Sequence, residues 1–121
     1  MIITPNQVTN DYIYICGPIT KITDGNKAAF YKAEEQLNSF GLKTINPHEL
    51  FLGIDTRNYS HQDYMDLCIS YMAMCGTILT LDGWWLSDGA TQEVNIARLM
   101  KKKVLLYDSF FAGLKRRSIV N

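Results

Sequence analysis

The chain reads as an α/β protein with a mainly parallel sheet covered by helices on both faces. Three observations carry that reading. Strand-like apolar segments alternate with amphipathic helical segments in the order β-α-β-α-β-α-β, the pattern of parallel strands joined by crossover helices. The run Thr77-Ile78-Leu79-Thr80-Leu81 is almost continuously apolar, as expected of a strand buried on both faces. No repeat, low-complexity tract or linker divides the 121 residues, so residues 1–121 are expected to form a single domain.

The first strand is Asp11-Tyr12-Ile13-Tyr14-Ile15-Cys16, a β-rich run stopped by Gly17-Pro18. Asp24-Gly25-Asn26 opens the first helix, which runs to about Phe40. Ala29, Phe30, Ala33, Leu37 and Phe40 form its apolar stripe, and Gly41 ends it. Leu42-Lys43-Thr44-Ile45-Asn46 is a short second strand closed by Pro47. Residues 48–59 read as irregular, with Gly53, Asp55 and Asn58 as turn formers. Ser60 is the expected N-cap of a second helix reaching Met74, its stripe made of Tyr64, Met65, Cys68, Tyr71, Met72 and Cys75. After the third strand, Asp82-Gly83-Trp84-Trp85-Leu86 forms a loop. A helix follows from Ser87-Asp88 to Met100, then a last strand Lys103-Val104-Leu105-Leu106-Tyr107 and a short terminal helix over 109–114.

Bulk composition excludes several function classes. Hydrophobic residues make up 47% of the chain, enough to fold rather than stay disordered. Twelve basic and 12 acidic residues cancel, which argues against a general electrostatic grip on nucleic acid or an anionic membrane. The one basic cluster, Lys115-Arg116-Arg117, reads as a solvated tail. No apolar run is long enough to span a bilayer, and the N-terminus lacks the charged and apolar regions of a signal peptide; a cytoplasmic protein is expected. Cys16, Cys68 and Cys75 are odd in number with no C-x-x-C pair, which suits reduced, buried thiols. His48 and His61 have no metal-ligand spacing with them, so no metal site is expected.

Glu93 is the most informative residue. At about 100° per residue, Ala90, Val94, Ala97 and Met100 fall on one arc of their helix, and Glu93 points into that arc. Thr91, Gln92, Asn95 and Arg98 fall on the other side. A carboxylate on a packing face costs free energy unless it is paired or lines a cavity. The helix N-terminus should hold it ionised, and burial should oppose that. Ligands of such folds sit beyond the carboxyl ends of the strands. Three segments fall there: Tyr14 to Pro18, Asn46-Pro47, and Asp82 to Glu93.

The other candidates each carry a structural alternative. Ser87, Asp88, Gly89 and Ala90 form the turn that feeds the Glu93 helix, suited to a phosphate or sugar hydroxyl, or to simple N-capping by Ser87 or Asp88. Gly17, followed by Pro18, permits close approach of a ligand to the backbone. Tyr14 is either core or a phenol reaching a carboxylate or sugar. Asp82 reads equally as a second acid or base and as a turn former before Gly83. Trp84 stacks on a base or covers a cleft or interface.

Taken in order, Tyr14-Ile15-Cys16-Gly17-Pro18-Ile19-Thr20, Asn46-Pro47, Tyr64-Met65, Met74-Cys75, and Gly83-Trp84 through Ser87-Asp88-Gly89-Ala90 to Glu93 resemble the nucleoside 2-deoxyribosyltransferase-like superfamily, in particular its small bacterial and phage branch. The resemblance implies a flavodoxin-like three-layer sandwich with four or five strands. It implies cleavage of the N-glycosidic bond of a nucleoside or nucleoside 5′-monophosphate, by hydrolysis or by deoxyribosyl transfer, with Glu93 as the catalytic carboxylate. Tyr14 would orient Glu93 or a ribose hydroxyl, and Ser87, with Gly89 and Ala90, would grip the 5′ end. Asp82 or Asp88 would position the substrate or move a proton. No cofactor is expected for a reaction that is not redox. The expected partner is a nucleoside or nucleotide small molecule, with neither nucleic-acid polymer nor membrane, and the superfamily's shared active sites imply a homodimer or higher homo-oligomer. Two departures stand out. Many relatives carry Asp where this chain has Gly76, and the enzymes often place an Asp near the position of Cys68. Asp66 is about 200° around the helix from Cys68, at about 100° per residue, and is a poor substitute. Both departures favour the alternative of a nucleotide-binding module without turnover.

Overall fold

The computed structural model describes residues 4–20 and 22–120, with side chains described up to residue 113. The basic cluster at residues 115–117 therefore lies outside the described side chains.

Four strands, β1 (Ile13–Cys16), β2 (Thr44–Ile45), β3 (Thr77–Thr80) and β4 (Lys103–Leu106), form one all-parallel sheet in the order β2-β1-β3-β4. In the register, Tyr14 lies beside Ile45 on one side and Ile78 on the other. The connecting helices are α1 (Lys27–Ser39), α2 (Pro47–Leu50), α3 (His61–Met72) and α4 (Asp88–Leu99), and α5 (Tyr107–Val120) follows the last strand. Consecutive strand residues face opposite sides of a sheet. Ile13 and Ile15 therefore pack with Phe30, Ala33 and Leu37 of α1 and Phe111 of α5. Tyr14 and Cys16 pack the other way, with Cys68, Tyr71 and Met72 of α3 and Ala90, Val94 and Ala97 of α4. The result is the flavodoxin-like three-layer arrangement. Among the described residues no helix is long and apolar enough to cross a membrane.

The differences from the sequence reading are local. Asp24, Gly25 and Asn26 are all left-handed (φ 54°, 62° and 63°) and form a 3₁₀ turn, so α1 begins at Lys27. Residues expected to be irregular contain α2: Asn46 caps it by accepting from the His48 N–H at 3.0 Å, and Pro47 occupies the first turn without needing a donor. Ser60 caps α3 as expected, its Oγ accepting from the Asp63 N–H while its own N–H donates to the Asp63 carboxylate. That helix stops at Met72 rather than Met74, where Lys102 Nζ donates to the carbonyls of Ala73 (2.8 Å) and Cys75 (2.6 Å). Tyr107 opens α5 instead of closing β4, and α5 runs further than residues 109–114.

Gly76 has a packing reason. A Cβ there would lie 2.2 Å from the Asn10 carbonyl oxygen, far inside contact distance. A side chain at this position is thus excluded by the residues ahead of β1, which close over the start of β3.

Candidate active site

A cavity of about 500 Å³ opens beside the carboxyl end of β1, walled by α1 to α4. Its position follows from the strand order. β2 and β3 lie on opposite sides of β1, so the crossovers on the two sides diverge there and leave a crevice.

Glu93 lies in its wall and is only 6% exposed. It sits in the second turn of α4, behind the helix end where the dipole acts most strongly. Tyr14 Oη donates to Glu93 Oε2 at 2.5 Å, and Cys16 Sγ donates to Oε1 at 3.4 Å and to the Ala90 carbonyl at 3.6 Å. The pleat explains the pairing: Tyr14 and Cys16 are two residues apart on the strand face that α4 covers. Burial raises the Glu93 carboxyl from 4.5 to about 7, against the opposing pull of the Tyr14 and Cys16 hydrogen bonds. Desolvation outweighs the two hydrogen bonds. Burial, and then the nearby Glu93 charge, push Tyr14 and Cys16 well above their ordinary values. Burial also pushes the Cys68 thiol, which lines the cavity, up to about 12. At neutral pH the cluster is three protonated weak acids around one carboxyl near its midpoint.

Six of the sequence candidates come together here: Tyr14, Gly17, Ser87, Gly89, Ala90 and Glu93 all line the cavity. Ser87 Oγ accepts from the Ala90 N–H at 3.2 Å, so it is the N-cap of α4 while also facing the cavity. Gly17 also has a packing reason to be small: a Cβ there would lie 2.9 Å from Leu81 Cβ. Asp88, Pro18 and Asn46 do not reach the cavity. Asn46 is buried and acts from behind, capping the helix that presents His48. Asp82 and Trp84 line a separate hollow with Tyr107 and Asp108, across the ends of β3 and β4. The structure therefore does not bring Asp82 to Glu93 as a second acid.

Several cavity residues had not been singled out as site residues. His48 and His61, which have no metal-ligand spacing in the sequence, both line the wall, with Lys27, Tyr31, Phe51 and Tyr64. His48 Nε2 lies 2.8 Å from the Gly25 carbonyl, which can only accept, so that nitrogen carries the proton. Burial lowers the pKa of this imidazole. Phe51 and Tyr64 pack with ring centres 4.8 Å apart. One signal was available for His61 and Tyr64: in parallel α/β sheets a crossover helix starts on the side where the strands end, so the first turn of α3 belongs to the cleft.

Comparison with known proteins agrees with this architecture. A solved structure, a 2-deoxyribosyltransferase from the psychrotolerant bacterium Bacillus psychrosaccharolyticus, is similar over 78% of this chain and 70% of its own, with a TM-score of 0.62 and 19% sequence identity. Identity at that level speaks for a shared fold. No curated protein matches the chain significantly. A family model does match, over residues 11–106, from the start of the first strand segment to the end of β4. The chain belongs to that family, the Domain of unknown function DUF4406.

Proposed function

We propose that the protein breaks the N-glycosidic bond of a nucleoside or nucleoside 5′-monophosphate, by hydrolysis or by deoxyribosyl transfer, with Glu93 attacking C1′. One observation carries the reading: a buried carboxyl, held by a phenol and a thiol, forms part of the wall of a cavity large enough for a nucleotide. The ionised form is the nucleophile, and the Tyr14 and Cys16 hydrogen bonds stabilise it. Ser87, Gly89 and Ala90, at the start of α4, face the 5′ end of the substrate, where helix N–H groups favour an anion. The aromatic wall of Tyr31, Phe51 and Tyr64 takes the base. The fold shared with a 2-deoxyribosyltransferase supports the reading without deciding the substrate.

The direct test is incubation with a panel of nucleosides and nucleotides, followed by chromatography for free base. Release of base that depends on Glu93 supports the proposal; intact substrates throughout refute it.

Tyr14→Phe gives a finer test. It removes a hydrogen bond to the charged form of Glu93, so the carboxyl rises further above about 7. Activity at pH 7 should fall about fivefold or more and recover as the pH is raised, since such a bond is worth about one pKa unit or more. A uniform fall at every pH would mean that Tyr14 acts by contacting substrate alone.

A second reading is a nucleotide-binding module without turnover. Its support is that both Glu93 oxygens are already engaged and that, among the described cavity residues, no second carboxyl is present. Thermal stabilisation by a nucleotide with no base released would favour it.

A further inference from the structure

Among the cavity's described lining residues, the groups that could protonate a leaving base are engaged or stand at the rim: Lys27 Nζ pairs with Asp24 at 3.7 Å, and Tyr31 and Tyr64 are exposed phenols. Glu93 is the only carboxyl among them. The Tyr14 and Cys16 protons are directed at Glu93 itself, at 2.5 and 3.4 Å. Cys68, the remaining thiol of the wall, keeps its proton up to about 12. His48 spends its Nε2 proton on the Gly25 carbonyl. His61 stands on the exposed rim, its Cε1 3.7 Å from where a Gly89 Cβ would be. An ordinary purine or pyrimidine leaves C1′ as an anion unless it is protonated as it departs, and a positioned acid typically contributes about 10²–10⁴-fold to such a step.

Resting on the N-glycosidic reading above, we propose that the preferred substrates are N-glycosides of a cationic, pyridinium-type base, which departs neutral without taking up a proton. The wall facing the cavity suits such a ring. The rings of Tyr31, Phe51 and Tyr64 line the cavity and can attract a flat cation, and the ionised Glu93 adds the opposite charge, while the Lys27 charge at the rim is paired with Asp24. The step balances with the residues present. A Glu93 oxygen bonds to C1′ as the C1′–N bond breaks, and the bonding pair goes to the ring nitrogen and cancels its charge. Water then attacks C1′, the ester to Glu93 breaks, the carboxylate is restored, and one proton passes to solvent.

The experiment measures base release from nicotinamide mononucleotide, as the pyridinium probe, beside AMP, CMP and dTMP as neutral-base probes, under one buffer and pH. The expected kcat/KM for the pyridinium probe is at least about a hundredfold higher, the size of the missing acid contribution. Cys68→Asp, which sets a carboxyl in the wall, should raise release from the neutral-base probes and narrow that ratio. Where this variant does not fold, the wild-type ratio decides alone. Equal or faster release from neutral-base nucleotides overturns the proposal and leaves the N-glycosidic reading standing. The same holds if His61→Gln abolishes release from the neutral-base probes only, because His61 would then be the acid. No base from either class refutes both.

Discussion

Glu93→Ala is expected to fold and to release base at least about a hundredfold more slowly than the wild type, the scale of losing one preorganised charged group at a reacting centre. The variant should fold because two effects offset. It removes the hydrogen bonds from Tyr14 and Cys16, and it also removes a carboxyl that burial makes costly to ionise. The loss should appear mainly in kcat, since the carboxylate acts on C1′ as the bond breaks rather than on the bound ground state. Steady-state base release across the nucleotide panel, with circular dichroism to confirm folding, measures it. Turnover within a few-fold of wild type would remove Glu93 from the chemistry.

The second large effect is on stability against pH. In the unfolded chain Glu93 loses its proton near 4.5, and in the fold near 7. Below about 4.5 both states are protonated, and Glu93 adds no pH dependence. Between 4.5 and 7 the unfolded state releases a proton that the fold retains, so stability falls as the pH rises, and above 7 the loss is complete. At 1.36 kcal/mol per pKa unit this amounts to about 3 kcal/mol. Glu93→Gln cannot ionise, so it escapes that loss. The difference in unfolding free energy, variant minus wild type, should grow by about 3 kcal/mol between pH 4.5 and 8, as other titrating groups cancel in the comparison. Urea unfolding at a series of pH values gives the curve. Parallel curves for the two proteins would mean that Glu93 ionises in the fold as freely as in the unfolded chain.

Both effects begin from a residue that was legible in the sequence. The helical period placed Glu93 among Ala90, Val94 and Ala97, and all four are buried in α4. The strand period is equally direct: Tyr14 and Cys16 must share a face, and that face meets α4. What the sequence could not fix was the direction of chain beyond a strand end. Asp82 lies two residues beyond β3 and Gly17 one beyond β1, yet Gly83, at φ 81°, turns the chain into the 3₁₀ segment Trp84–Leu86, and Asp82 lines the separate hollow across the ends of β3 and β4. Four residues of α2 are too few to show a period, so His48 had no visible place in the wall. Gly17 and Gly76 were visible as glycines, but their neighbours Leu81 and Asn10 are set by tertiary packing.

The account rests on a sugar carbon held against the Glu93 carboxyl, and a crystal structure of Glu93→Gln soaked with a nucleoside 5′-monophosphate observes that contact directly. The expected result is C1′ within about 3.5 Å of the side-chain amide at position 93, the distance of a near-attack geometry, with the 5′ phosphate at the start of α4. A nucleotide seated instead in the hollow of Asp82, Trp84 and Tyr107, leaving position 93 untouched, would contradict it.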